Sequence, residues 1–476
     1  MASQIGIQRV VIDGLHEQFD VDVTLNPRLN IIYGKNGRGK TTLLHIIVNA
    51  LELDFDRFSN LNFGRITITA FNGTALEITK GPDGKAVTRI NGELAALNLD
   101  PSGILSFPEV ELLRESLGAR PVYLPAFRSV LERVRNDYAN PYREPNREAE
   151  IDALGQSEYN ILRELSGVRT RDGIDARSLR EEAQITARKT VQCRQWFGPF
   201  VPVIRYPSIL EVDDGLSSEW RTAQLKLAQR EQSMFADVFA KVFRTVVGLD
   251  ANEVEAGSEE ALLKSISQFL SETDSQTGIH GPNPIYAQLR EATEFLRSNN
   301  SRGSNEIGRA VLQVYMDTLS DRKEARTQAF QSSRDFELSI NKFLDKKKLR
   351  IGDEVRRVRM RSFVNVGTDG GRYYGLSALS SGEKQILTML YSASRSKFRG
   401  GMFLIDEPEL SLHIDWQRQI LAELMAQTPQ CQIIACTHSP EVRADHLAQT
   451  QDFEPVPTEI NRADADLFDD LDHLEE

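Results

Sequence analysis

The chain has 476 residues, of which 40% are hydrophobic and 26% charged, and its formal net charge is −12. This length suits two or three domains, and the acidic balance argues against a protein that binds polyanions through its whole-chain charge. No stretch approaches the roughly 18–20 consecutive apolar residues that span a bilayer, so no membrane association is expected. Acidic residues at positions 13, 17 and 20 stand where a signal peptide is apolar, and the three cysteines lack metal-ligand spacing. Both features predict a cytoplasmic protein with reduced thiols.

A phosphate-binding loop of the form G-x-x-x-x-G-K-[ST] occupies residues 34–41. It lies between a predicted buried strand over residues 29–33 and a predicted helix over residues 42–53. The glycines permit backbone angles that let successive N–H groups converge on phosphate oxygens, and the helix N-terminus adds a favourable dipole. In such a loop the lysine reaches the β- and γ-phosphates and the terminal hydroxyl binds Mg²⁺. The predicted contacts to ATP and Mg²⁺ are Gly34, Asn36, Gly37, Gly39, Lys40, Thr41 and Thr42.

The first 130 residues are predicted to form half of an α/β head. Turn signals at residues 72–73, 81–84 and 91–92 separate short strands, which favours an antiparallel β layer beside the nucleotide-binding core. Residues 131–345 have mostly helical periodicity and are predicted to be an inserted helical domain. Within and just beyond it, Glu306–Leu349 lacks proline. As one continuous helix this segment would be on the order of 60 Å long.

Residues 346–445 are predicted to complete the head. An apolar segment over residues 401–405 ends in Asp406 and Glu407, the Walker B arrangement. There Asp406 is expected to hold Mg²⁺ through water, and Glu407 to orient or deprotonate the attacking water. A second buried strand, over residues 432–437, ends at His438, which can sense the γ-phosphate by a hydrogen bond. The remaining residues, 446–476, are predicted to be an acidic tail, either disordered or a short amphipathic helix that docks a partner.

The order of these motifs resembles that of the ABC-type ATPase heads of the SMC, RecF and OLD branch. The resemblance is carried by L-S-S-G-E-K-Q at residues 379–385, D-E-P-E-L-S-L-H at residues 406–413 and T-H-S-P at residues 437–440. It implies a mixed central sheet with flanking helices, and an ATP site completed by a second copy of the chain. The residues implied to close over ATP from that copy belong to the signature: Ser380, Ser381, Gly382 and Glu383. Ser411–His413 would be the D-loop.

Three features allow more than one interpretation. The segment Y-L-P-A-F-R at residues 123–128 resembles a motif of OLD-like heads in which an arginine, here Arg128, lies near the nucleotide; the alternative is a buried strand leading into a surface helix. Nine lysines and arginines between Lys342 and Arg361 form either a solvated face or a surface for nucleic acid or an acidic protein. A second arginine group, at positions 128, 133, 135, 143 and 147, can lie near the nucleotide or a partner.

Two functions follow from the resemblance. The first is an ATP-hydrolysing switch subunit of an anti-phage system, similar to the PARIS, Septu and retron-associated ATPases. Because the chain carries no nuclease pattern, this function implies a separate nuclease effector chain, a ring-like homo-oligomer of head dimers, and an acidic viral trigger protein. The second is a DNA repair or recombination ATPase of the RecF or SMC type, which acts on DNA.

Overall fold

The computed structural model describes residues 5–94, 107–118, 120–128, 131, 176–246, 306–352, 363–396 and 401–458. The chain divides into two compact units: the first is Met1–Ser208 with Ser380–Glu476, and the second is Ile209–Leu379. Among the described helices, none is both long and apolar enough to cross a membrane.

Eighteen of the described α-helices and β-strands belong to the first unit. In chain order they begin with β1 (Ile7–Leu15), β2 (Phe19–Thr24), β3 (Leu29–Tyr33), α1 (Lys40–Glu52), β4 (Arg65–Ala70), β5 (Ala75–Lys80), β6 (Ala86–Ile90), β7 (Glu93–Leu94), α2 (Phe107–Leu117), β8 (Val122–Leu124) and α3 (Ala176–Phe197). The second unit then supplies α4 (Ile209–Val246), α5 (Glu306–Asn341), β9 (Lys347–Ile351), β10 (Val364–Thr368) and β11 (Tyr373–Tyr374). The chain returns to the first unit with α6 (Ser381–Ser396), β12 (Met402–Asp406), α7 (Ile414–Gln427), β13 (Gln432–Thr437), α8 (Pro440–Arg443), β14 (Thr450–Asp452) and β15 (Val456–Pro457).

The core of the first unit is a five-stranded sheet with the order β14-β3-β13-β12-β8. All the pairings described in this sheet are parallel. Every residue of β12 and β13 is buried, as expected for parallel strands covered on both faces. Because parallel strands end at one edge, the segments that follow β3, β12 and β13 meet there. These are the three segments that carry the predicted nucleotide motifs.

A seven-stranded antiparallel sheet forms the predicted β layer, with the order β15-β2-β1-β4-β5-β6-β7. One face of this sheet is buried: Ile7, Val10, Ile12 and Leu15 of β1 are fully buried, while Gln8 and Arg9 are exposed. Register shifts between Ile7 and Arg9 and between Ile12 and Leu15 interrupt the strict alternation of β1. The predicted α/β class of a P-loop ATPase head is confirmed.

The chain after residue 445 is only partly the predicted tail. Strand β14 pairs in parallel with β3, and β15 pairs with β2. Phe453 is buried, and its carbonyl would lie 3.1 Å from a Cβ at Gly34, so the chain passes directly beside the phosphate-binding loop. The predicted boundary at residue 446 is wrong because two strands of the head lie beyond it. Residues 459–476 lie outside the described residues.

The second unit is built on two long antiparallel helices. Trp220 of α4 packs on Phe330 of α5 with ring centroids 4.1 Å apart, and Arg322 of α5 bonds Glu231 of α4 at 2.6 Å. At 1.5 Å per residue, these helices of 38 and 36 residues are about 57 and 54 Å long. A three-stranded antiparallel sheet, β11-β10-β9, belongs to the same unit.

The proline-free segment Glu306–Leu349 does not form one continuous helix. Helix α5 ends at Asn341, and Lys346 adopts a left-handed backbone (φ 55°) that turns the chain into β9. The Asn341 side chain closes this turn by accepting from the Leu349 N–H (2.7 Å) and donating to the Leu349 carbonyl (3.1 Å).

The limits of the compact second unit, residues 209–379, differ from the predicted insertion over residues 131–345. Helix α3 belongs to the first unit, where Arg194 bonds Asp54 at 3.5 Å. Tyr206 likewise bonds Thr388 of α6. Strands β9 to β11 belong with α4 and α5 because they pair with one another rather than with the central sheet.

Candidate nucleotide site

The phosphate-binding loop joins β3 to α1 in the predicted manner. Gly37 and Gly39 have φ of 81° and 93°, values that favour glycine, and Gly39 is the residue at which α1 begins. The Lys40 ammonium donates to the carbonyls of Gly34 (2.5 Å) and Lys35 (2.9 Å), which places this cation at the loop itself. Asn36 and Thr41 are exposed, whereas the Lys40 side chain is largely buried against the loop.

The first Walker B carboxylate meets the loop directly. Thr41 Oγ1 donates to Asp406 Oδ2 at 2.7 Å, although the two residues are 365 positions apart. Asp406 Oδ1 is buried without a hydrogen-bond partner, and burial raises the pKa of Asp406 to about 6. A buried carboxylate with an unpartnered oxygen beside a threonine hydroxyl fits a magnesium site, because Mg²⁺ prefers oxygen ligands. Thr41 and Asp406 are therefore the residues that would hold Mg²⁺, directly or through water.

The second Walker B carboxylate faces His438. Glu407 has a left-handed backbone (φ 48°), an uncommon conformation for a non-glycine residue, and its Oε2 forms a short hydrogen bond with His438 Nδ1. Its Oε1 lies 4.0 Å from Lys40 Nζ. Burial, followed by the neighbouring Glu409 carboxylate, raises the pKa of Glu407 to about 7. A carboxylate with this pKa is suited to accept a proton near neutral pH.

A third acidic residue, Glu409, completes the cluster and was not among the residues predicted from sequence. It is only 6% exposed, and its Oε1 accepts hydrogen bonds from Thr437 Oγ1 (2.5 Å), His438 N (3.1 Å) and Ser439 N (3.0 Å). One ligand atom from each of Glu407, Glu409 and His438 lies within 4.8 Å of the others, a spacing that a cation could also use. The sequence signal for Glu409 was its place two residues after Glu407, a spacing equally typical of a surface acidic turn.

Arg128 lies beneath the Walker B turn and not at its surface. Its side chain is fully buried, and its guanidinium donates to the carbonyls of Asp406 (2.8 Å), Glu407 (2.8 Å), Pro408 (3.3 Å) and Pro125 (3.1 Å). The prediction that Arg128 binds the nucleotide therefore requires correction. Its donors at Nη1 and Nη2 hold backbone carbonyls, and no part of the side chain reaches solvent where a nucleotide would bind.

The signature residues organise the start of α6. The Ser380 N–H donates to Glu383 Oε2 at 2.6 Å, and the Glu383 N–H donates to Ser380 Oγ at 3.3 Å, which is a capping box. These contacts use the Ser380 hydroxyl as an acceptor and engage the buried Glu383 carboxylate within the chain, while the O–H of the exposed Ser380 can still donate. Ser381 remains exposed at the first position of the helix.

Gly382 connects the signature to the predicted D-loop. A Cβ at this position would lie 2.8 Å from the carbonyl oxygen of Ser411, closer than any real contact of that kind, so only glycine fits. The D-loop is in turn connected to the segment around His438, because Gln417 donates to the Leu412 carbonyl (3.1 Å) and accepts from Ser439 Oγ (2.8 Å).

The remaining predicted residues are distributed around this cluster or away from it. Thr42 Oγ1 lies 3.5 Å from Nε2 of His16, a residue of the β1–β2 turn that sequence analysis had not connected with the loop. In the second unit, Lys348 and Arg350 are exposed on β9, and Arg350 pairs with Glu337 at 3.0 Å. Lys342 and Lys346 of the predicted basic stretch are also exposed. Its arginines at positions 356, 357, 359 and 361, and those at positions 133, 135, 143 and 147, lie outside the described residues.

Two family descriptions match parts of the chain. Residues 275–445 match a family described as "AAA domain, putative AbiEii toxin, Type IV TA system", and residues 13–105 match one described as "AAA domain". The chain therefore contains AAA-type ATPase sequence on both sides of the segment between residues 105 and 275. No functionally curated protein matches the chain.

Several solved structures are similar over nearly the whole length. An Smc head domain with an extended coiled coil from Pyrococcus furiosus, bound to the C-terminal domain of ScpA, is 14% identical with a TM-score of 0.39, covering 99% of this chain and 100% of that chain. An Smc head bound to the C-terminal winged-helix domain of ScpA is 10% identical with a TM-score of 0.41, covering 96% and 99%. An Smc head domain with a coiled coil and joint from Pyrococcus yayanosii is 12% identical with a TM-score of 0.38, covering 99% and 100%.

Proposed function

We propose that the chain is an ABC-type ATPase head that hydrolyses ATP at a site completed by a second copy of itself. The observation that carries the proposal is the convergence of Lys40, Thr41, Asp406, Glu407 and His438 at one edge of the central sheet. Thr41 meets Asp406 across 365 positions of sequence, and Glu407 meets His438 across 31. A phosphate-binding loop alone supports nucleotide binding. The added carboxylate and imidazole support hydrolysis.

The site's own residues account for each part of the reaction. Lys40 and the loop N–H groups bind the phosphates, and Mg²⁺ held by Thr41 and Asp406 would neutralise charge on the transferred phosphoryl group. The Glu407 carboxylate accepts a proton from water as the water oxygen bonds to the γ-phosphorus. The bond between the γ-phosphorus and the bridging oxygen breaks, leaving ADP and phosphate. His438 holds the Glu407 carboxylate through its short hydrogen bond.

The second copy is expected to contribute Ser381 and Gly382. Ser381 is exposed at the N-terminus of α6, where the helix dipole favours an anion such as the γ-phosphate. Ser380 and Glu383 shape this helix end through the capping box, which places Ser381 at the exposed first position of the helix. ATP would then lie between two heads and hold them together.

A set of three variants tests this function. Glu407→Gln should bind ATP, lose hydrolysis by about 10²–10⁴-fold, and accumulate as dimers in the presence of ATP, because removing a general base costs that much. Lys40→Ala should lose nucleotide binding, and Ser381→Arg should bind ATP as a monomer yet hydrolyse it slowly. The measurements are fluorescent-nucleotide binding, phosphate release and light scattering. Native hydrolysis by the Glu407 variant would show that the base is another group.

The biological setting proposed for this ATPase is an anti-phage complex in which it stores a separate nuclease chain within a higher oligomer and releases it when an acidic viral protein binds. Support comes from the sequence resemblance to standalone defence ATPases and from a matched family description that names a toxin–antitoxin system. We expect a nuclease to co-purify with the wild-type chain. The viral trigger protein should release this nuclease from the wild type but not from the Glu407→Gln variant.

The alternative proposal is an ATPase of DNA repair or recombination, favoured by the exposed Lys348 and Arg350 on β9. It predicts that double-stranded DNA stimulates ATP hydrolysis by the purified chain without any partner. An unchanged rate with DNA present, together with a stably bound nuclease, would favour the defence complex.

A further inference from the structure

Glu409 is a buried carboxylate to which the proposed reaction assigns no role. Its side chain is 6% exposed, and transferring a carboxylate into the interior is costly unless its oxygens are hydrogen-bonded. Only one of its oxygens is satisfied: Oε1 accepts three hydrogen bonds, whereas Oε2 is buried without a partner. A buried carboxylate with one unsatisfied oxygen costs more folding free energy than an apolar side chain of the same size. The contacts of Oε1 therefore call for a function that an apolar side chain could not supply.

The three donors to Oε1 come from consecutive residues. They are the hydroxyl of Thr437, at the last position of β13, and the N–H groups of His438 and Ser439 immediately after it. The Ser439 N–H also donates to Thr437 Oγ1 at 2.9 Å. One oxygen atom therefore fixes the backbone on both sides of His438, at the point where the chain leaves the sheet.

This arrangement joins the two turns of the site. Glu409 lies on the turn that follows β12, as does Glu407, and His438 lies on the turn that follows β13. His438 Nδ1 is 3.3 Å from Glu409 Oε1 and makes its short hydrogen bond with Glu407 Oε2. His438 is itself 45% exposed, so packing does little to hold its ring. The hydrogen bonds from the backbone to Glu409 therefore fix the point from which the His438 side chain extends.

We infer that Glu409 is a positioning residue, which fixes the backbone of the His438 turn so that the imidazole meets Glu407. The inference rests on the proposed ATP hydrolysis. The requirement is geometric: an acceptor oxygen at the reach of a glutamate side chain. The negative charge of Glu409 has a separate effect, since it contributes to the raised pKa of Glu407, and it is not what holds the His438 turn.

Two conservative variants separate reach from charge. Glu409→Gln keeps the length and the acceptor oxygen but removes the charge, whereas Glu409→Asp keeps the charge but shortens the side chain by one methylene. Glu409→Ala removes both. Since a misplacement of about 1 Å at a reacting group can cost about 10²-fold, we expect kcat to fall roughly 10²-fold in the Ala variant and roughly 10-fold or more in the Asp variant. At a pH well above 7, where Glu407 is ionised with or without the Glu409 charge, the Gln variant should stay within about threefold of the wild type, because its geometry is retained.

Two further measurements distinguish a positioning role of Glu409 from a general loss of structure in the variants. Binding of fluorescent ATP should change less than about twofold in all three variants, because Glu409 contacts neither the loop nor the magnesium ligands in the contacts above. In the nucleotide-free protein, hydrogen exchange of peptides that cover residues 437–440 should be faster in the Ala variant and unchanged in the Gln variant. Glu423→Ala, which removes another buried glutamate (9% exposed) on α7, should leave kcat unchanged.

The outcomes have distinct meanings. An active Asp variant with an inactive Gln variant would overturn the inference in favour of an electrostatic role, and a fully active, correctly folded Ala variant would overturn it outright. If the Ala variant does not fold, the comparison of Gln with Asp still decides. Failure of the proposed function is recognised separately, since Glu407→Gln would then hydrolyse ATP whatever Glu409 does.

Discussion

The fully buried Arg128 provides the sharpest test of how the Walker B turn is held. Its guanidinium donates to four backbone carbonyls, two of them at 2.8 Å, and three of the four belong to the consecutive residues 406–408. Arg128→Met preserves much of the side-chain volume and removes every donor. The carbonyls of Asp406, Glu407 and Pro408 would then be left buried beside a thioether.

The expected cost follows from these contacts. Hydrogen bonds from a charged donor contribute about 1.5–3 kcal/mol each, so the two short ones alone suggest about 3–6 kcal/mol. Removing the guanidinium also removes its desolvation cost, which offsets part of that sum, and one-sided loss of a buried charged partner typically costs about 3–5 kcal/mol. We expect a loss of about 3–5 kcal/mol in the free energy of unfolding of the first unit, and a partial recovery with Arg128→Lys, whose ammonium cannot reach all four carbonyls.

The assay is urea denaturation, monitored with a spectroscopic probe located in the first unit. The location matters because a chain with two compact units need not unfold in one step. Arg9→Met is the matched control: Arg9 is an exposed arginine of the same unit paired with Asp22, and its loss should leave the midpoint unchanged. A loss below about 1 kcal/mol for Arg128→Met would refute the view that the guanidinium holds the turn, since that is less than one charged hydrogen bond.

Two other changes have defined consequences. Gly382→Ala would bring a Cβ within 2.8 Å of the Ser411 carbonyl, so we expect ATP binding to be retained while hydrolysis and ATP-dependent dimer formation fall together; normal dimer formation would contradict the assigned packing of signature on D-loop. Burial lowers the pKa of His45 to about 3. Between pH 6.5 and pH 3 the unfolded chain therefore binds a proton at this histidine that the folded chain does not bind. The free energy of unfolding consequently falls as the pH falls through this range. At pH 5 this costs about 2 kcal/mol relative to neutral pH. His45→Gln, which can still bond the Tyr123 hydroxyl, should lack that component in urea midpoints measured at pH 7 and pH 5; an identical pH dependence in both proteins would contradict it.

The nucleotide motifs were predictable from sequence because each is encoded by a short contiguous segment. The glycines of residues 34–41 and the helix after them generate the loop from local backbone preferences, and the apolar run of β12 places Asp406 and Glu407 at a strand end. The apolar composition of these segments is typical of strands buried on both faces. The order of the motifs then resembled that of ATPase heads in which the loop, Asp406 and His438 share one site, and the parallel pairing of the strands came from the structure.

Tertiary structure decided the roles of side chains whose partners are backbone groups far away in the sequence. Arg128 follows a strand in sequence and could have faced the nucleotide, but it lies against carbonyls 278 to 280 positions away. Glu409 looks like a surface acid until β13 brings three donors to it, and the presumed tail contributes β14 because β3 offers an open edge. The sequence shows which hydrogen-bond donors and acceptors each segment carries. Only the packed sheet determines which distant donor meets which acceptor.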